Sequence, residues 1–238
     1  MADTNRYSKL TKASEAFSSM MTEFGIVTVM NAEIYEIPAV PATPGETDFK
    51  GFDKYTPEDL RTLVRKDGSP FTKLATIDTL KVANVTIEGP TKTVSGGQYS
   101  NPLIKFGKTA RLEMQDALGR ADALEAFGGV VNEYSDETMK NVALMHSTSD
   151  FAPARLIIGD SFFVSRKNGQ QVKVDIIFYQ VLPDSIMNLT QDAEGDATVF
   201  DLNADLLTTN IIMHDKTGAP EIHGVFYTIL AKETTPTT

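Results

Sequence analysis

The stretch RLIIGDSFFVS, Arg155 to Ser165, is followed by RKNGQ, Arg166 to Gln170, and then by QVKVDIIFYQVL, Gln171 to Leu182. Two runs rich in β-branched and aromatic residues flank a polar turn, the pattern of an antiparallel hairpin. Asn168-Gly169 sharpens it, because both residues tolerate positive φ and suit a type I′ turn. In the second run Val172, Val174, Ile176 and Phe178 fall on one face, while Lys173 and Asp175 begin the other.

Outward from this hairpin the strand signals continue. Ala197 to Leu207 places Thr198, Phe200, Leu202, Ala204 and Leu206 together and Asp201, Asn203 and Asp205 opposite them. Ile222 to Ala231 is a further strand after the Lys216-Thr217-Gly218 turn. On the N-terminal side, Leu80 to Glu88 alternates Ala83, Val85 and Ile87 with Asn84, Thr86 and Glu88. Gly89-Pro90 ends that strand, and Ser95-Gly96-Gly97 marks a turn. Thr109 to Leu118 alternates too; its residues also suit a helix, and a strand followed by a short helix from Arg120 to Phe127, stopped by Gly128-Gly129, is the preferred reading. Phe24 to Ile37 is strand-like through Ile26, Val27, Val29, Ile34 and Tyr35.

Two segments interrupt the strands. Pro38, Pro41 and Pro44-Gly45 predict an exposed loop of polyproline II character over residues 38–55, which carries Phe49, Phe52 and Tyr55. Thr56-Pro57-Glu58-Asp59 then predicts a helix start, with Thr as N-cap, Pro at the first position and acids in the first turn. That helix should run to Arg65 and end at Asp67-Gly68. Leu10, Ala13, Phe17 and Met20/Met21 suggest an amphipathic helix from Lys9 to Met21 within an arm of residues 1–22. Residues 233–238 read as a frayed tail. Strands joined by hairpins, with few helices, predict a mainly β fold: an antiparallel sandwich or barrel with a flanking helix and extended loop or arm excursions.

Composition narrows the function. At 238 residues and 41% hydrophobic, the chain is long enough to bury a substantial core. It has no apolar run of the length a spanning helix needs, and its polar start predicts folding in a cytoplasm. Zero cysteines remove disulfides, thiolate metal sites and cysteine nucleophiles together. A formal charge of −10 offers no basic stripe for phosphates, so proximity to DNA without adhesion is the only nucleic-acid role it favours.

Motifs for chemistry are incomplete. Gly107-Lys108-Thr109 resembles the end of a phosphate-binding loop, but Pro102 stands where that loop needs a glycine, and it has no N–H to offer. Asp192, Glu194 and Asp196 alternate around Gly195 without the glutamate that closes a calcium loop. His146, His214 and His223 are scattered. A Ser161–His214 hydrolase is the only enzyme that can be assembled, and Gly159-Asp160-Ser161-Phe162-Phe163 lacks the second glycine of a nucleophile elbow. A sugar-binding sandwich would need stacking platforms, which zero Trp and seven Tyr make scarce. The aromatics Phe49, Phe52 and Tyr55 have two readings: folding back on their own chain, or anchoring a neighbouring subunit.

Two stretches resemble the tail tube, or major tail, proteins of tailed bacteriophages, particularly those of Gram-positive hosts. The first is EGPTKTVSGGQYSNPLIKFGK, Glu88 to Lys108, running on through RLEMQDALG, Arg111 to Gly119. The second is IGDSFFVSRKNGQ, Ile158 to Gln170, followed by DAEGDATVFDL, Asp192 to Leu202. The first 75 residues carry no part of it. The resemblance implies one tail tube domain over residues 1–238, with the 38–55 loop and N-terminal arm stacking subunits. It implies hexameric rings joined edge to edge into an inner barrel and stacked into a tube that delivers genome DNA without binding it specifically. Implied partners are other copies, the tape-measure protein, the tail terminator and baseplate or hub proteins, with a sheath in contractile tails. No membrane anchor, catalytic residue, cofactor or metal is implied. Phe49, Phe52 and Tyr55 are then candidates for the subunit interface, and Asp201 and Asp205 for the lumen. A tail terminator or another ring-forming virion protein of the same sandwich is the alternative within this class.

Overall fold

The structure, a computed structural model, describes residues 24–78, 80–89, 91–93, 103–105, 107–116, 121–135, 140–146, 152–165, 171–184, 188–190, 199–212 and 221–231. Its strands in chain order are β1 (Phe24–Glu36), β2 (Thr72–Ile77), β3 (Leu80–Glu88), β4 (Thr91–Thr93) and β5 (Leu103–Lys105). Then follow β6 (Thr109–Asp116), β7 (Gly129–Ser135), β8 (Lys140–His146), β9 (Arg155–Ser165) and β10 (Gln171–Pro183). The last are β11 (Asn188–Thr190), β12 (Val199–Leu206), β13 (Thr209–Ile212), β14 (Glu221–Val225) and β15 (Tyr227–Ala231). Among the described residues, two helices, α1 (Pro57–Arg65) and α2 (Ala121–Ala126), and a 3-10 turn at Phe52–Lys54 complete the set. The fold is mainly β, and every pairing is antiparallel.

The β9–β10 hairpin is the centre of the molecule. Its strands pair from Val164↔Gln171 to Ile157↔Phe178, while the Asn168-Gly169 turn lies outside the described residues. The main sheet runs β2-β1-β9-β10-β12-β6-β3, with β15 also on β10 and β11 on β12. β10 changes partner along its length. Val174–Phe178 pairs with β15, a bulge intervenes between Phe178 and Val181, and Val181–Pro183 pairs with β12. A bulge bends the strand and increases its twist, so β10 passes from one layer into the other.

Side-chain parity then sorts two cores. Ala32 and Ile34 of β1, Ala75 and Ile77 of β2, Ile157, Ile176 and Val181 point inward. They meet Ala110, Leu112 and Met114 of β6, Leu202, Ala204 and Leu206 of β12, and Phe127 after α2. Ala83 and Val85 of β3 pack on the same cluster, so the two ends of the strand order close over one core. The opposite face of β1, β9 and β10 is buried as well: Tyr35, Leu156, Ile158, Ile177 and Tyr179 lie under Phe49, Phe52, Leu60, Val64, Phe71 and Ile211.

α1 covers that second face. Thr56 Oγ1 accepts from the Asp59 backbone N–H at 3.1 Å, Pro57 opens the helix, and Leu60 and Val64 are its buried residues with Pro57. Each of Leu60 and Val64 contributes roughly 1.5–3 kcal/mol by burial. Gly68, at φ 72°, turns the chain away, a conformation glycine adopts without steric cost.

The strand expectations hold for β1, β3, β6, β9, β10 and β12, and both predicted helices within the described residues are present. Three differences appear. The predicted strand Ile222 to Ala231 is two strands, β14 on β13 and β15 on β10, divided at Phe226 where the chain changes partner. β2 and the β7–β8 hairpin lie where the residue pattern raises no strand expectation. The Lys9–Met21 helix, the Ser95-Gly96-Gly97 turn and the 233–238 tail lie outside the described residues.

Candidate functional site

Beneath α1 lies the strongest concentration of charge. Asp160 of β9 and Asp175 of β10 stand directly opposite each other, and Glu33 belongs to the neighbouring strand β1. Arg61 and Arg65, one helical turn apart, project onto these acids. Arg61 Nε pairs with Asp175 Oδ2. Arg65 reaches Glu33 at 2.8 Å, Asp160 at 3.2 Å and Asp175 at 3.4 Å. Lys73 of β2 meets Glu33 at 2.8 Å, and Lys173 lies 3.8 Å from Asp160.

The environment divides these carboxyls. Burial raises that of Asp175, helped by its contact with Asp160, and outweighs the pull of Arg61 and Arg65. Burial opposes ionisation of Asp160 too, but the hydrogen bond from Asp175 and the Arg65 charge hold it below the ordinary carboxylate range. Glu33 is likewise depressed, with Lys73 and Arg65 overcoming desolvation. The Tyr35 phenol, which donates to Glu33 at 3.1 Å, is pushed up to about 12 by burial and by the Glu33 charge. Two guanidiniums against three carboxylates fasten a helix to a sheet; nothing in this geometry presents an unpaired acid or base to a substrate. Sequence patterning alone does not single out this cluster. Its signal is Arg61 and Arg65 at i and i+4 beside a strand whose second face resumes apolar character at Ile177 and Tyr179 after Asp175.

Of the two readings of the loop aromatics, the structure shows the first. Phe49 is 3% and Phe52 6% exposed, locked edge-to-face with each other at a centroid distance of 5.0 Å. Phe49 also meets Phe71 at 5.1 Å, and Phe52 meets Tyr179 at 5.8 Å. The expectation that Phe49 and Phe52 anchor a neighbour is therefore corrected: hydrophobic burial turns them onto their own sheet. Tyr55 is half-buried, stacks on Phe49 at 6.0 Å and donates to the Asp48 carbonyl at 3.2 Å. The loop's exposed run is residues 39–47, with Lys50 and Lys54 also exposed.

The acids of β12 lie as the alternation predicts. Leu202, Ala204 and Leu206 face the core; Asp205 is exposed, and Asp201 and Asn203 are partly so. Register sets Asp201 opposite Gln115, Asn203 opposite Glu113 and Asp205 opposite Arg111 on β6, with Asn84 and Thr86 beyond on β3. Arg111 is engaged by Asp184 at 2.8 Å, which leaves the face net negative. Asp201 Oδ1 is enclosed and finds no hydrogen-bond partner among the described residues. At the margins of the sheet, β2, β3 and β15 each pair on one side only among the described residues. An unpaired edge is a template for a further strand.

The other candidates are dispersed. Ser161 is fully buried inside β9, opposite Val29 and Val174, and His214 lies outside the described residues with Asp192, Glu194 and Asp196. His146 belongs to β8, and His223 is exposed on β14, 3.8 Å from Glu221. Lys108 and Thr109 lead into β6. Among the described residues no group of three or more His, Asp or Glu side chains is placed to hold a metal ion, and no helix is long and apolar enough to cross a membrane. No protein-family model matches the chain, and no curated protein matches it.

Proposed function

We propose that this chain is the repeating subunit of a bacteriophage tail tube, a structural protein that assembles with its own copies around a DNA channel. The observation that carries the reading is an antiparallel two-layer fold whose β2, β3 and β15 edges are open among the described residues. Completion of such edges by identical neighbours closes a ring and removes the exposed backbone groups. The negative face of β12 and β6, with Asp201, Asp205 and Glu113, suits a lumen along which DNA slides without adhering. The order of the two stretches Glu88–Gly119 and Ile158–Leu202 adds the family resemblance.

Hexameric rings, stacking through the 38–55 loop and N-terminal arm, and contact with tape-measure, terminator and hub proteins belong to this proposal. Negative-stain imaging of the purified protein at high concentration tests it. Rings or tubes of uniform bore are expected; a dispersed monomer at every concentration, together with its absence from phage particles, would reject it.

A further inference from the structure

Tyr55 and Phe71 bracket the helix segment, residues 56–70, and both pack on one ring: Phe49 stacks on Tyr55 at 6.0 Å and meets Phe71 edge-on at 5.1 Å. The segment therefore leaves and returns at a single aromatic clasp. The clasp is fixed to the rest of the subunit by Phe52 against Tyr179 and by the Ile212 backbone N–H, which donates to the Tyr55 carbonyl at 3.2 Å. Beyond it, α1 is held down by Leu60, Val64 and the ion cluster. The charges that meet there are Glu33 from β1, Lys73 from β2, Asp160 from β9, Asp175 and Lys173 from β10, and Arg61 and Arg65 from the helix, with the Tyr35 hydroxyl on Glu33. β15, which also touches the helix, carries no charged residue. The first core differs in kind. It is built from apolar side chains, and Asp175 is the only charged residue buried among the described residues.

We propose that α1 is an acid-released flap: residues 56–70 swing off the sheet about the Phe49 clasp when the carboxyls beneath are protonated, while the sandwich stays folded. With Glu33, Asp160 and Asp175 ionised, three negative charges offset the four positive charges of Arg61, Arg65, Lys73 and Lys173. Protonation leaves those cations facing one another across the helix–sheet contact, where like charges repel. Linkage sets the pH. The docked helix holds Glu33 and Asp160 below the ordinary carboxylate range, so both take protons more readily once it leaves, and acid drives release below pH ~4. Asp175 runs the other way, its raised value favouring the docked helix just above that window. Acid has no comparable target in the first core, where β6 and β12 meet β1 and β10 through apolar contacts. Gly68, at φ 72°, and Thr56, in extended conformation, supply non-helical backbone at the two ends where the movement turns. The flap stands independently of the tail tube reading.

Hydrogen exchange of the full chain tests this, read by mass spectrometry as protection relative to the unfolded rate at each pH. From neutral pH to pH ~3, the protection of α1 should fall at least about tenfold further than that of β6 and β12, and recover on neutralisation. Arg61→Met with Arg65→Met should invert the trend, because α1 then covers uncompensated carboxylates at neutral pH and neutral carboxyls in acid. Arg61→Lys with Arg65→Lys keeps the charges and should keep the wild-type direction. Circular dichroism at neutral pH checks folding; if the double Met variant does not fold, Arg61→Met alone replaces it and should weaken the trend. A single transition in which α1, β6 and β12 lose protection together overturns the inference. So does an unaltered wild-type trend in the Met variant, or an inverted one in the Lys variant.

Discussion

Asp160 and Asp175 face each other across β9 and β10, and only the guanidiniums above them make that pairing tolerable. Removal of one partner from a buried ion cluster leaves charge without compensation, at a cost of about 3–5 kcal/mol. Arg65 contacts all three acids and its side chain is 26% exposed, so Arg65→Met should lose about 3 kcal/mol, at the lower end of that range. Urea denaturation at neutral pH checks this, and a loss below about 1 kcal/mol, the scale of a surface pair, would show the cluster to be ornamental.

Acid should reveal the same division of labour. Glu33 and Asp160 are depressed, so the stability they contribute is present above the unfolded carboxylate value of about 4 and is lost as pH falls through their lower folded values. Asp175 is raised: the folded chain takes its proton before the unfolded chain does, which adds stability as pH falls through that window. Stability should therefore change little just above pH ~4 and fall steeply below it. Arg65→Met should flatten the steep limb. Urea midpoints from neutral to acidic pH measure both curves, and an equally steep limb in the variant would remove Arg65 as its cause.

At the scale of elements, the loop over residues 38–55 divides into an exposed half and a buried half. Deletion of residues 40–52 would carry away Phe49 and Phe52, and the second core with them. Replacement of residues 39–47 by a short Gly-Ser link should instead keep the subunit folded, with a melting temperature near wild type, and, on the tail tube proposal, abolish tube growth. Tubes grown at the wild-type rate would remove the loop from the stacking contact. The two halves also show what a sequence discloses. Alternation along β3, β6 and β12 and the Thr56-Pro57 helix start are local patterns, set by residues within a turn or two of each other, and they were readable. The destination of Phe49 was not, because an aromatic side chain in a loop looks the same whether it meets its own sheet or another molecule. Asp175 misled for a related reason: polar alternation promises solvent, and only a helix packed from 110 residues away in sequence turns that face into an interior. The last strand divides at Phe226, where the chain leaves β13 for β10, a change of partner that apolar periodicity does not register.

At the scale of the whole molecule, the described residues present one negative sheet face and several edges paired on one side only, a combination that the proposed channel would use. If Asp201 and Asp205 line the bore, Asp201→Lys with Asp205→Lys in the phage should leave particle yield and tail length unchanged and slow genome ejection several-fold. DNA release triggered in vitro and followed with an intercalating dye measures this. Unchanged release would move both residues to the outer wall.

One connection in the fold has a bearing on how the chain is made. β2 and β3 are neighbours in sequence, separated by Asp78 and Thr79 alone, yet they are the two outermost members of the strand order. A ribosome therefore delivers both margins first and the middle last. β1 with β2, and β3 with β6, emerge as separate pairs that have no shared layer until the β9–β10 hairpin and β12 arrive to be inserted between them. Nascent chains stopped before residue 155 should be open to protease and bound by chaperones, while chains released after residue 206 should resist digestion. The last third of the message is the keystone of the arch.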